Sequence, residues 1–226
     1  MNSLHTTLAI LITILLSSCI QDDFVEDFVN PEIRIINPID TIGFNDTYQF
    51  EYAYINNIGE IEEMEAVFSS NNPDVIFITE DGLASGLESG SATIFITYFS
   101  EDLLIDLKDS IAVTVGEATI VTEQITTGQI QTTSSYQLEG DFEYKEVPNG
   151  VRLALAENYK VSTALPGLYV YLSNNKNSIA NALEIGAVEV FSGAHEYEIS
   201  NVNFDDFSYI VYFCKPFNVK VGDGSL

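Results

Sequence analysis

Few residues in this chain can do chemistry. Its 226 residues hold two cysteines, two histidines, two methionines and no tryptophan. Cys19 lies near the N-terminus. Cys214 lies near the other end, inside SYIVYFCKPFNVKVGDGSL, Ser208 to Leu226. Beyond Cys19 the chain has a single histidine, His195, and a single methionine, Met64. With one histidine, His-based triads and multi-histidine metal sites are nearly excluded, and no Ser-His-Asp set stands out. There is no Cys-x-x-Cys-His, no phosphate loop, and no Asp-x-Asp-x-Asp-Gly loop with a distal Glu. The sequence therefore offers no catalytic set and no metal set. It does offer one thiol, Cys214, as a candidate redox residue, with His195 as a candidate cofactor ligand. An unpaired cysteine is a reactive thiol, an intermolecular partner or a buried packing residue. Lys215 next to it favours a thiolate only if both side chains face one pocket, and neighbours on a strand face opposite ways.

The elements that must position Cys214 are strands. Tyr209 to Phe213 is an unbroken apolar and aromatic run, as in a strand covered on both faces. Pro216 marks a break, and Phe217 to Val221 reads as a short second strand. Upstream, the predicted strands are Ser135–Leu138, Phe142–Glu146, Val151–Ala156, Leu168–Leu172, Ala187–Phe191 and Glu196–Ile199. Asn149-Gly150 is a hairpin signal. Ser178 to Leu183 reads as a single helical turn. Cys214 is expected to be shielded and to pack beside Phe217.

The N-terminus reads as an address. Leu8 to Leu16 is an apolar run of signal-peptide length, too short to span a bilayer stably as a helix. Leu16-Ser17-Ser18-Cys19 resembles the bacterial lipobox, in which the Cys thiol takes a diacylglyceryl group. This implies a lipoprotein signal peptide over residues 1–18 and lipid attachment at Cys19. Met1 to Thr7 departs from the usual pattern, carrying no Lys or Arg. Gln21 to Asp27 is acidic, resembling the surface-export signal of Bacteroidota-type lipoproteins. It belongs to a lipidated tether over residues 19–30, anchored by its acyl chains to the outer membrane and facing the exterior.

Charge is strongly one-sided. Lys and Arg total 8 against 34 Asp and Glu, a net of −26. The balance is two basic to 21 acidic residues from Ile20 to Glu117, and six to 13 from Ala118 to Leu226. Such a surface repels nucleic acid. It favours solubility.

Residues 31–117 carry β signals throughout. Tyr48, Phe50, Tyr52 and Tyr54 alternate with less apolar residues, giving one aromatic face that reads as core. Val75–Thr79, Ser91–Phe99 and Ile111–Val115 are further strands. Asp81-Gly82 and Gly86 read as turns needing positive φ. The stretch VFSSNNPDVIFITEDGLASGLESGSATIFITY, Val67 to Tyr98, resembles the group 2 bacterial immunoglobulin-like domain, with Phe68 where Trp is usual. The resemblance implies a β-sandwich serving as spacer or adhesion unit.

Residues 118–226 resemble the DM-thirteen domain, a family labelled as electron-transfer. The resemblance rests on SYQLEGDFEYKEVPNGVRLAL, LPGLYVYLSNN, LEIGAVEVFSGAHEYEISNV and YIVYFCKPFNVKVGDGSL, in that order. It implies redox work, by Cys214 itself or by helping to hold a haem, with His195 as the other available ligand.

The fold expected is thus all-β, with two tandem β-sandwich domains behind a signal peptide and a short acidic tether. Two functions follow. In one, a lipid-anchored, non-catalytic surface protein presents its C-terminal domain to a protein or glycan partner. In the other, a redox protein acts through Cys214 or a bound cofactor such as haem.

Overall fold

The structure, a computed structural model, describes residues 28–100, 105–121 and 123–226. The expected signal peptide over residues 1–18, Cys19 and residues 20–27 of the expected tether lie outside the described residues. What is described is all-β, apart from one 3₁₀ turn.

The N-terminal half contributes β1 (Glu32–Ile35), β2 (Thr41–Gly43), β3 (Thr47–Gln49), β4 (Tyr52–Ile55), β5 (Ile61–Glu62), β6 (Val67–Ser70), β7 (Ile76–Ile78), β8 (Leu83–Gly86), β9 (Gly90–Ser100) and β10 (Ile105–Gly116). They form three sheets, ordered β1-β4-β5, β2-β10-β9-β6 and β3-β8-β7. The β9–β10 hairpin is the backbone of this half. Its inward positions alternate, Ala92, Ile94 and Ile96 on β9 facing Val113, Ile111 and Asp109 on β10. Ile94 and Ile96 are fully buried, with Ile42, Phe50, Phe68 and Ile76 in the same core.

The C-terminal half contributes β11 (Ile125–Thr132), β12 (Leu138–Val147), β13 (Gly150–Leu155), β14 (Lys160–Val161), β15 (Leu168–Ser173), β16 (Leu183–Ala187), β17 (His195–Ser200), β18 (Tyr209–Cys214) and β19 (Val219–Ser225). They join into one sheet, β16-β15-β18-β19-β11-β12-β13-β17, with β14 on β12. The sheet folds around a core that draws on β12, β13, β15, β18 and β19. A second cluster, Tyr171, Val211 and Phe213, lies on the other face of β15 and β18 beneath Ile179 and Ala182. Strand β18 is therefore covered on both faces, which accounts for its unbroken apolar run.

Several expectations need correction. The aromatic alternation from Tyr48 to Tyr54 is not one strand. Phe50 bonds to Gly82 and Glu51 to Ile36, so the chain changes sheets there and becomes β3 and β4. The strand expected at Ser135–Leu138 is a bend over Ser135 and Tyr136, with only Leu138 in a strand; it opens β12, which runs on through the strand expected at Phe142–Glu146. The strand expected at Ala187–Phe191 lies earlier, as β16. Ser178 to Leu183 forms no helical turn; Ala182 N–H bonds to Ile179 C=O, closing a β-turn. Gly82 has the expected positive φ, but Gly86 sits within β8. Gly86 is needed for closeness instead, since a Cβ there would come 2.6 Å from the Gly43 carbonyl oxygen.

The hairpin at Asn149-Gly150 joins β12 to β13. Asn149 takes the positive φ, 71°, after Pro148, as in a type II turn. Gly150 is demanded by its neighbour, because a Cβ there would lie 2.0 Å from the Ile199 carbonyl oxygen of β17.

Candidate functional site

Cys214 is the last residue of β18, paired with Leu168 of β15 and Val219 of β19. It is fully buried. Its Sγ donates to the Pro166 carbonyl at 3.4 Å. The chain then turns through a 3₁₀ segment, Lys215–Phe217, closed by Asn218 in the left-handed region at φ 52°. Lys215 N–H bonds to Gly167 C=O. Gly167, at φ 73°, lets Pro216 pack where a Cβ would approach within 2.9 Å. The Pro166-Gly167 corner and the 3₁₀ turn thus close over the end of β18. Phe217 is 62% exposed, so the expected packing of Cys214 beside Phe217 gives way to packing beneath Pro166.

Lys215 does not serve the thiol. Its ammonium pairs with Glu184 at 2.5 Å and rests over the Tyr169 ring at 4.0 Å. The Glu184 hydrogen bond raises the Lys215 pKa and lowers that of Glu184. The charge beside Cys214 is spent on the sheet's outer face.

His195 opens β17. Its Nδ1 lies 3.1 Å from the Gly193 carbonyl oxygen. Its ring meets Tyr159 edge-on at 4.7 Å between centroids and Tyr197 at 5.4 Å. The Nε2 atom is buried and makes no hydrogen bond among the described residues. Tyr159 lies 6.2 Å from Tyr212, ring to ring. These two hydroxyls sit near enough to influence each other's ionisation, yet outside ordinary hydrogen-bond geometry. Burial raises the Tyr144, Tyr159 and Tyr212 pKa values above the usual phenol range.

A haem needs an axial ligand atom opening on a slot wide enough for the ring. The Cys214 thiol faces a backbone carbonyl, and His195 Nε2 is walled in beside tyrosines. Neither residue lines the grooves over β11, β12 and β13 or beside Arg34. These residues do not fit a haem. Among the described residues no group of three His, Cys, Asp or Glu side chains is placed to hold a metal. No helix of the described residues is long and apolar enough to cross a membrane.

Several grooves mark the described surface, among them two that gather charged side chains. One, of about 590 Å³, crosses the outer face of β11, β12 and β13, where Ala154 and Ala156 leave room beside Gln129, Asp141 and Glu143. Asp141 there accepts from Gln129 and Asn158, both at 2.9 Å. The other, of about 570 Å³, lies where the halves meet, lined by Glu32, Arg34, Asp106, Lys108, Asp109 and Asp205. No motif or periodicity in the sequence marks this second place. The available signal was Arg34, one of only two basic residues between Ile20 and Glu117.

No family model and no curated protein matches the chain. Among solved structures, it is similar to domains 4 and 5 of the S-layer protein SbsC, at 11% identity and a TM-score of 0.28, over 86% of this chain and 96% of that one. It is also similar to SbsC domains 1–6, at 12% identity and a TM-score of 0.29. That match covers 87% of this chain and 38% of the SbsC one. Likeness at this level carries no functional argument.

Proposed function

We propose that the chain is an exported, lipid-anchored surface protein whose C-terminal half binds a partner and does no chemistry of its own. The observation that carries this reading is the burial of Cys214 beneath Pro166, with Lys215 engaged elsewhere. A thiol must be reachable, and in thiolate form, to exchange electrons or attack. The address rests on Leu16-Ser17-Ser18-Cys19 behind an apolar run. The division into an immunoglobulin-like domain over residues 31–117 and a DM-thirteen-like domain over residues 118–226 is supported by two separate hydrophobic cores.

One feature changes how the display works. Val29 N–H bonds to Asn57 C=O, so the tether meets the fold at the β4–β5 turn. The same turn touches the C-terminal half: Asn181 Nδ2 donates to Ile58 C=O at 3.2 Å. In this reading the immunoglobulin-like half is a flank beside the anchor point, not a spacer between the anchor and the C-terminal half.

The test is fractionation of cells expressing the chain and its Cys19→Ala variant, followed by protease treatment of intact cells. The expected result is a membrane-bound, protease-accessible protein that leaves the membrane fraction on Cys19→Ala. A variant that remains lipid-labelled and membrane-bound contradicts the anchor.

A further inference from the structure

One polar part of the contact between the halves is centred on a single side chain. Arg34, on β1, reaches across to the C-terminal half. Its Nη1 donates to the Asp205 carbonyl at 2.8 Å, and its Nη2 to Ser208 Oγ at 2.6 Å and to Asn174 Oδ1 at 3.3 Å. The acceptors are themselves held in place. Asn174 Nδ2 donates to the Asp206 carbonyl, and Ser208 Oγ to Asn174 Oδ1. Beside them Gly59, at φ 80°, comes close to the same segment: a Cβ there would crowd the Asn174–Asn175 backbone at 3.3 Å. Around this guanidinium the charges do not balance. Glu32, Asp106, Asp109 and Asp205 line the groove, against Arg34 and Lys108.

We infer that Arg34 is a latch between the two halves, and that the latch tightens as the pH falls because carboxylates crowd the joint. The group best placed to carry the response is the Asp205 side chain. It faces Arg34 from β1, Asp109 from β10, Gln124 from the connecting segment, Asp206 from its own loop and Tyr144 from β12. Burial pushes its pKa up to about 6, opposed by Arg34 and a Gln124 hydrogen bond and reinforced by Asp109 and Asp206. A raised carboxyl pKa means that the closed joint takes up a proton. Closure is therefore favoured on acidification, the gain beginning as pH falls through about 6 and complete near 4. If Asp205 returns to an ordinary pKa when the halves part, the closed-to-open ratio rises about tenfold between about pH 7.5 and about pH 5.

The experiment is pulsed electron–electron distance measurement on the full chain, with spin labels on Ser69→Cys and Glu198→Cys, at both pH values. The closed-to-open ratio is expected to rise about tenfold on acidification. Arg34→Ala lowers the ratio at both pH values. Asp205→Asn gives, at the higher pH, the ratio that the parent shows only at the lower one. A parent distribution that does not change with pH overturns the inference. So does an Asp205→Asn variant that keeps the parent's response, or an Arg34→Ala variant, folded by circular dichroism, with an unchanged distribution.

Discussion

In the N-terminal half, Tyr48 and Tyr52 lean over the core and keep their hydroxyls satisfied. Tyr48 donates to the Asn37 carbonyl at 2.9 Å, and Tyr52 to the Met64 carbonyl. In the C-terminal half Tyr144, Tyr159 and Tyr212 are wholly buried, and their hydroxyls make no hydrogen bond among the described residues. The cause is architectural. Three small sheets leave rims where a ring can be buried while its hydroxyl reaches backbone. One large sheet folded around its core carries the whole ring inside. A buried hydroxyl without a partner costs about 1–3 kcal/mol, so the three phenols subtract from the stability their rings supply. The comparison teaches that the C-terminal half is built for enclosure, and Cys214 shares that enclosure.

The largest effect that tests this contrast is loss of a ring. Tyr212→Ala is expected to cost about 3–5 kcal/mol by urea unfolding, like other large aromatic truncations in cores. Tyr48→Ala should cost less, because Tyr48 is only half-buried. Equal costs would erase the distinction between rim and interior.

Next in size is the thiol. Cys214→Ser places a hydroxyl where the thiol makes one long contact with Pro166, and should destabilise by about 1–3 kcal/mol. An unchanged melting temperature would mean that the end of β18 is open to water.

A base titration sharpens the comparison further. Burial holds the Tyr144, Tyr159 and Tyr212 protons in the folded state, while an unfolded chain releases them near pH 10. Their contribution is present below that pH and is lost as pH rises beyond it, so stability should fall above about pH 10. Part of the tyrosinate absorbance should appear only with cooperative unfolding. A smooth titration of all tyrosines in the native state would contradict the burial.

The smallest effect discriminates most finely. Tyr212→Phe removes a hydroxyl without a hydrogen bond and should be neutral or stabilising, whereas Tyr48→Phe breaks a bond worth about 0.5–1.5 kcal/mol. The reverse order would show that the inner hydroxyls are satisfied and the rim ones are not.

Local pattern made much of this legible. The alternation of β9, the hairpin at Asn149-Gly150 and the doubly covered run of β18 all follow from residue type and period. What pattern cannot carry is which strand neighbours which. The aromatic face from Tyr48 to Tyr54 has the right period for one strand, yet Phe50 and Glu51 take backbone partners in different sheets. Gly150 looked like a turn glycine, but its need comes from β17, some 50 residues away in sequence. At the site, the shielding of Cys214 followed from the apolar run before it, while its cover did not. Phe217 was the near neighbour, but Pro166, 48 residues upstream, lies over the sulfur. The Arg34 contacts span 140 to 174 residues, beyond the reach of any periodicity.

The central claim is that the C-terminal half encloses its thiol. The most direct test of that enclosure is the rate at which a small aromatic disulfide reagent modifies Cys214 in the folded chain carrying Cys19→Ala, compared with the same chain in denaturant. The Cys19→Ala substitution leaves Cys214 as the one thiol of the chain. Slow modification of the native protein is expected, limited by opening of the Pro166-Gly167 corner, with rapid modification after unfolding. Rapid and complete modification of the native protein at neutral pH would contradict it, and would return Cys214 to consideration as a working redox residue.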